Sequence, residues 1–557
     1  MEYSEFEKKL LALKALPDCT IEVPQLKATL FNHQKTGINY LLNLDTAMLA
    51  DQLGLGKSLQ SLGLSLLRKQ KGEIKKCLIV CPATTKYSVW KREIEKFTDE
   101  KCLVVDGSMK KREETYFTFL TREDVFYLIM NYEQLLKDSG YLLKFSINSL
   151  CIIDESVYIK TRDSKRTKEL KKIPFKYKIA ITGYPAANKI IDVWSQFDWL
   201  KPGYLGSYWS FFDKYVETIT IKLHETEESK KSSKGRKCKC CGKWSPEQRY
   251  AKIYTCCCVT PEWEAPSFKK VVGYKNLDEL KKKLEPYFIR RLASETLDLP
   301  EKTYEERETL LSGDLLRAYT TMKEEMKVTI KNMSNEDVIA KANGILTQML
   351  RLSQLTCGFI TDVKLNQPMF YKENPKVKAL DDIIDEVLSS GNKIVIWTRF
   401  RAFTAYIYKR YTEGFKYNGE TVTYNCAFFW GGMSAEEKDK NINRFQTDPN
   451  CKIIIGTVQT GGMGITLHAG NVAVFTDLSF LSPSTVIQAE ARNHRIGQTK
   501  NVVIIRLLAK DTVDGHWLKI LENKQKASKI LFREDTIIEE ELGVALDKDT
   551  LLEMLGD

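Results

Sequence analysis

Asp51-Gln52-Leu53-Gly54-Leu55-Gly56-Lys57-Ser58 lies between an apolar stretch, AMLA, and a helix-like run, LQSLGLSLL. Strand, glycine-rich loop and helix, in that order, is the context in which such a segment can cradle phosphate. Gly54 and Gly56 let backbone N–H groups approach an anion, and the helix N-terminus that follows favours negative charge. Lys57 can then reach the terminal phosphates of ATP, and Ser58 can ligand Mg²⁺. Asp51 stands where the GxxxxGK[ST] pattern has its first glycine.

A second group of residues suits the same chemistry. Leu150-Cys151-Ile152-Ile153 is an apolar run that ends in Asp154 and Glu155. Carboxylates at the tip of a buried strand can hold Mg²⁺ through its water shell (Asp154) and polarise an attacking water (Glu155). Far along the chain, Gln488-Ala489-Glu490-Ala491-Arg492-Asn493-His494-Arg495 places two arginines three residues apart, so a helix would carry both on one face. Cations delivered to a γ-phosphate stabilise the charge that develops in phosphoryl transfer. Supplying them from a second lobe would couple closure to hydrolysis.

The elements that must position these groups follow from the hydrophobic pattern. The chain has 557 residues, too many for one core. From Leu30 to about Pro202, short apolar runs (CLIVCP, VFYLIMNYE, LCIIDES, YKIAITGYP) alternate with amphipathic stretches. A second series from about Lys376 contains NKIVIWTRF, CKIIIGT, VAVFTDL and VVIIRLL. Continuous apolar runs suit buried parallel strands with function at their C-terminal ends. The expected fold is therefore α/β, with two parallel-sheet lobes, a helical connector and a small cysteine-rich, zinc-binding insertion. The expected boundaries are an N-terminal helix over 1–25, lobe one over 26–215, a charged insertion over 216–270, the connector over 271–370, lobe two over 371–530 and a C-terminal tail over 531–557.

Composition narrows the class. Hydrophobic residues make up 43% of the chain, as in a folded soluble protein, and no run approaches a membrane span. The start, MEYSEFEKKL, is acidic where a secretory signal would be basic and then apolar. An intracellular location follows as the expectation. The net charge of +12 favours a polyanionic partner. Eight of the 14 cysteines are scattered and six cluster between Cys238 and Cys258, which indicates a reducing compartment and one local metal site. Cys238-Lys239-Cys240-Cys241-Gly242 contains a CxxCG zinc knuckle, and Cys256-Cys257-Cys258 supplies a second half-site. Four thiolates make a closed structural Zn²⁺ site. The adjacent cysteines leave the assignment open, with Cys238, Cys241, Cys256 and Cys258 favoured. Lys230, Lys231, Lys234, Arg236 and Lys237 could carry that module to DNA or to a protein partner.

Taken in order from about Leu30 to Asn523, these segments resemble the Swi/Snf-type ATPases of helicase superfamily two. Further matches are LFNHQ, LIVCPATTKYSVWKREIEKF, IKTRDSKRTKELKKI, FIRRLASETLDLPEKT, IGTVQTGGMGITLHAG and QAEARNHRIGQ. The resemblance implies that Gln34 recognises adenine and that Asp51 is the acidic residue the family normally carries there. It also implies that Gly464 joins the ATP cleft, that Arg492 and Arg495 are arginine fingers, and that Lys160, Lys165 and Arg166 lie near the DNA track. Three positions depart from the family pattern: Val157 replaces a polar coupling residue, Leu481 a tryptophan, and Tyr184 a threonine.

The resemblance implies that the two lobes are RecA-like and form an ATP-hydrolysing motor that translocates on double-stranded or forked DNA without extensive unwinding, working as a monomer. The short flanks suit a viral or bacterial member, cytoplasmic or nucleoid-associated. Two alternatives stay open: a strand-separating helicase or restriction-system motor subunit, and a nonhydrolysing DNA-binding scaffold.

Overall fold

The computed structural model describes residues 3–15, 19–183, 185, 190–222, 235–237, 244–246, 267–297, 299–333, 341–362, 367–461, 465–532 and 548–556. Two wholly parallel sheets dominate. The first has seven strands in the order Phe288–Ile289, Thr46–Leu49, Tyr177–Ile181, Ser149–Asp154, Lys76–Cys81, Val125–Asn131, Lys101–Val104. The second has six, ordered Lys302–Thr309, Val502–Ala509, Val472–Phe475, Ile394–Thr398, Ile453–Thr457, Cys426–Phe429.

Central strands such as Ser149–Asp154 and Ile394–Thr398 are buried along both faces, which is why they read as unbroken apolar runs. Each sheet separates two apolar cores. Leu78, Val80 and Ile153 face one side of the first sheet, and Cys77, Ile79 and Ile152 the other. The expected strands are all present, and the unexpected ones are edges. Lys302–Thr309 alternates charged and half-buried residues, so it carries no apolar signal, yet it pairs with Val502–Ala509 over eight residues. Lys101–Val104 and Cys426–Phe429 are four-residue edge strands.

The stretch over 271–370 holds the expected helices Leu277–Leu284, Gly313–Lys331 and Ala342–Thr356. It also donates an edge strand to each sheet, which a purely helical connector would not. Leu315, Tyr319, Met349 and Leu352 of these helices pack on Val513 and Trp517. The tail helix Lys548–Met554 closes that small core with Leu551, and Lys548 Nζ donates to Lys331 O at 2.7 Å. At the other end, the amphipathic start forms Glu5–Lys14, opened by a Ser4/Glu7 capping box. No helix of the described residues is long and apolar enough to cross a membrane. The eight described cysteines are free thiols.

The residue that broke the glycine pattern has a structural task. Asp51 is fully buried, and its Oδ1 accepts from Arg291 N at 3.1 Å and Arg291 Nε at 3.0 Å. Oδ2 accepts from Gln60 Nε2 at 3.0 Å and from a second Arg291 nitrogen. Arg291 also donates to Gln60 Oε1 at 2.9 Å and to the His33 carbonyl. The start of the phosphate loop is thus tied to the segment that leaves lobe one. Removing one partner of a buried ion pair leaves an uncompensated charge. Arg291→Ala should cost lobe one about 3–5 kcal/mol of unfolding free energy, measured by urea titration with fluorescence detection.

Candidate nucleotide site between the lobes

The glycines of the loop are held at φ +92° (Gly54) and +71° (Gly56), where L side chains are rarely found. A Cβ on Gly56 would stand 2.3 Å from Gln34 Nε2, so a side chain there would displace the glutamine as well as strain the loop. Gln34 is buried in the helix Asn32–Leu42. Its Oε1 accepts from Phe31 N at 3.0 Å and its Nε2 donates to Leu55 O at 3.3 Å. His33 Nε2 lies 3.2 Å from the same carbonyl. Two side chains of the LFNHQ segment therefore grip the loop.

Lys57 opens the helix Lys57–Gln70, and its Nζ donates to Asp51 O at 2.7 Å and Gln52 O at 3.3 Å. Ser58 follows it into the same cavity. Burial lowers the lysine pKa, while Glu155, Asp51 and Asp154 act to raise it. Asp154 ends its strand with the carboxylate fixed: Trp90 Nε1 donates to Oδ2 at 2.9 Å, and Glu155 N donates to Oδ1 at 3.0 Å. Tyr132 Oη donates to the Asp154 carbonyl at 2.7 Å. Trp90 belongs to a π-helical turn, Lys86–Lys91, a winding found often at functional sites. Glu155 sits in the left-handed region at φ +51°, uncommon for a residue with a side chain and a mark of local strain. Burial raises the pKa of both carboxylates; the charge of Asp154 adds to this at Glu155, where Lys57 and Arg492 oppose it.

The second lobe completes the site. A cavity of about 1260 Å³ is lined by Gln34, Lys57, Asp154 and Glu155 from lobe one and by Arg492 and Arg495 from lobe two. Gln488 Nε2 donates to Glu155 Oε1 at 3.4 Å, a direct bond across the cleft. A Cβ on Gly54 would lie 3.5 Å from Arg495 Cβ, so Arg495 faces the phosphate loop itself. Arg492 Nε donates to Gly461 O at 2.8 Å, and Arg495 donates to Ile465 O at 3.2 Å and to Thr466 Oγ1 at 2.8 Å. Burial, then the neighbouring Arg495, brings Arg492 down to about 10, which leaves it charged at neutral pH.

One expectation is corrected. The arginines do not share a helix face, because the helix is Pro483–Glu490 and both residues lie in the turns after it. The backbone there is diverted to a neighbouring loop: Arg492 O accepts from Leu467 N at 2.9 Å, and buried Asn493 Nδ2 donates to Gly470 O at 2.9 Å. The arginines reach one cavity all the same. Gly464, Tyr184 and the cysteines 238, 241, 256 and 258 lie outside the described residues. Val157 lines the cleft, and Leu481 is buried in the core of lobe two.

Four residues of the site were not singled out from the sequence: Trp90, Glu93, Arg291 and Gln488. All fall in recognised segments, yet an indole that holds a carboxylate 64 positions away has no local signature. Glu93 lines the cavity, and its Oε2 has no hydrogen-bond partner among the described residues.

A phosphate loop on one parallel-sheet lobe, facing paired arginines from a second, defines the class of superfamily-two helicase cores. The chain belongs to the SNF2-related family: the SNF2-related domain matches residues 33–358, and the Helicase conserved C-terminal domain matches 375–497. It is 26% identical over 510 residues to the uncharacterized ATP-dependent helicase MG018 of Mycoplasma genitalium, covering 90% of this chain and 42% of that protein. It is 24% identical over 542 residues to YwqA of Bacillus subtilis, described as a candidate ATP-dependent helicase/translocase, covering 96% and 52% respectively. The chain thus spans about half the length of these curated relatives. Among solved structures, the Sulfolobus solfataricus SWI2/SNF2 ATPase core in complex with dsDNA is 26% identical with a TM-score of 0.40, covering 92% of this chain and 94% of that one.

Burial raises Glu93 from 4.5 to about 7, with Asp154 adding to the shift and Ser58 and Arg495 opposing it. In the unfolded chain this carboxyl ionises at its ordinary value. The stability it contributes is therefore full below pH 4.5 and is lost as pH rises through 7. Glu93→Gln should flatten the fall in melting temperature between pH 5 and 8 and should melt above wild type at pH 8, as followed by differential scanning calorimetry.

Proposed function

We propose that this chain hydrolyses ATP in the interlobe cleft and uses lobe closure to translocate along double-stranded DNA, remodelling protein–DNA complexes or forked and annealing DNA without extensive unwinding. The observation that carries this reading is the Gln488–Glu155 bond, which joins lobe two to the carboxylate best placed to polarise water. The site fits a nucleoside triphosphate with Mg²⁺. The glycine cradle lies against Gln34, Lys57 sits at the helix N-terminus, and Ser58 and Asp154 are the oxygen donors. Bound Mg²⁺ would neutralise charge on the phosphates.

In this reading Gln34 selects adenine, and Gly54 and Gly56 present N–H groups to the phosphates. Lys57 offsets the terminal charge, Glu155 orients the attacking water, and Arg492 and Arg495 bring positive charge from the other lobe. Because the arginines arrive only with lobe two, hydrolysis and closure are one event. Gly464 is assigned to the same cleft by family resemblance. Lys160, Lys165 and Arg166 are assigned to the DNA backbone. Lys165 is exposed, while Lys160 faces Asp192 at 3.8 Å and Arg166 lies 5.6 Å from the Tyr158 ring centroid. The helicase and translocase descriptions of relatives support the motor over a nonhydrolysing scaffold. The name of MOT1 of Saccharomyces cerevisiae, a TATA-binding protein-associated factor 26% identical over 543 residues, covering 88% of this chain and 27% of that protein, supports protein–DNA complexes as the substrate. Work inside the cell, as a monomer, with 216–270 as a separable insertion, belongs to the same proposal.

Duplex DNA should raise the rate of phosphate release by wild type. Glu155→Gln should abolish that rate while fluorescent ATP still binds, and Arg495→Ala should lower it on the order of 10³-fold. A wild-type rate indifferent to any DNA would remove the motor reading.

Cys238, Cys241, Cys256 and Cys258 are proposed to hold one structural Zn²⁺. Elemental analysis of the purified chain should find one zinc per molecule, and Cys238→Ser with Cys256→Ser should release it.

A further inference from the structure

The helix Tyr208–Tyr215 buries Phe211 and Tyr215 in the core of lobe one, leaves Tyr208 and Phe212 half-buried at its edge and turns Trp209 outward. Trp209 is 59% exposed, unusual for the largest apolar side chain. It is not isolated. Tyr208 and Trp209 meet edge to face with ring centroids 5.2 Å apart, and Trp209 meets Phe212 the same way at 5.9 Å. Tyr208 is held from behind by Trp194 at 5.3 Å, whose Nε1 donates to Gly206 O at 3.1 Å. The Arg162 guanidinium carbon lies 3.9 Å from the Tyr208 centroid and 5.3 Å from that of Trp209. Arg162 is itself fixed, its Nε donating to Asp163 Oδ2 at 2.8 Å.

Lone surface aromatics need no explanation, but a rigid cluster of rings with a planar cation does. Arg162 is half-buried in the turn before the helix Lys165–Lys171, where Lys165 and Lys168 are exposed, Lys168 lying 3.5 Å from Asp163. The patch thus joins flat apolar faces to positive charge. That pairing suits a strand whose bases are unpaired, because every base then offers a π-face beside its phosphate. The bases of a duplex are stacked within it and offer none, except at an end.

We propose that Trp209, Tyr208 and Arg162 form a stacking platform for unpaired bases of single-stranded DNA that flanks the duplex. The platform would let the chain engage junctions between duplex and single strand in preference to uninterrupted duplex. This inference rests on the DNA-motor reading above and specifies the structure on which such a motor would load.

The test is fluorescence anisotropy with three end-labelled DNAs: a blunt duplex, the same duplex with a single-stranded arm, and that arm built from abasic sites. Wild type should bind the normal arm more tightly than the other two. Trp209→Ala should weaken binding to the normal arm about tenfold and leave the blunt duplex unchanged, while Trp209→Phe should keep most of the preference. Matched melting temperatures would show that each variant is folded. Equal weakening on all three DNAs, an unchanged affinity for the normal arm, or an abasic arm bound as tightly as the normal one would overturn the platform. Wild type that binds the blunt duplex without preference for an arm defeats this inference alone. Wild type that binds no DNA defeats the motor reading with it.

Discussion

Asp51 and Arg291 lie 240 positions apart in the chain and share a buried ion pair, and the interlobe site depends on where that pair puts them. Asp51 begins the phosphate loop. Arg291 follows the edge strand Phe288–Ile289, the last strand of the first sheet before the chain crosses to Lys302–Thr309 in the other sheet. Arg290 adds hydrogen bonds to Ala50 O at 3.2 Å and Gly183 O at 2.9 Å. One carboxylate therefore fixes both the shape of the loop and the point from which lobe two is suspended. A glycine at position 51 could do neither.

The cleft built on that clamp is a balance of buried charge. Asp154 and Glu155, half-buried in the cleft wall, would be costly to hold charged without Lys57 and Arg492, and the cations without the carboxylates. Lys57 comes from the same lobe as the carboxylates and Arg492 from the other, so the balance is complete only with both lobes in place. The strained backbone at Glu155 and the bond from Gln488 sit at the seam between them. The lobes thus meet electrostatically at a few side chains.

Lobe two presents its arginines by an indirect route. Glu490, the last residue of the helix before them, is buried and accepts from Lys302 Nζ at 3.0 Å and Tyr304 Oη at 2.9 Å. Both partners lie on the first strand after the crossing from lobe one. Behind it, Lys376 is buried against Asp514 at 2.6 Å and donates to Thr476 O at 2.8 Å, while Thr356 Oγ1 donates to Asp514 Oδ1 at 2.9 Å. This network ties the connector helices to the sheet of lobe two. A change of angle at the crossing would be carried to the arginine turns through packed, hydrogen-bonded groups.

Burial on both faces writes central strands into the sequence as apolar runs, so the two parallel sheets were legible, and so was the meeting of the glycine loop, its lysine and the paired acids at one cavity. Local order also made the connector helices readable. Edge strands such as Lys302–Thr309 escaped because half of each side of an edge meets water and its residues can be charged. The helical reading of Arg492 and Arg495 failed because the helix stops where Asn493 and the Arg492 carbonyl find partners in a distant loop. Sequence alone determined which residue types, glycines, lysine, carboxylates and arginines, stand in the segments that build the cleft. Tertiary structure decided that Trp90 would hold Asp154, that Arg291 would answer Asp51 and that Gln488 would reach Glu155, since each is a contact between segments that only folding brings together.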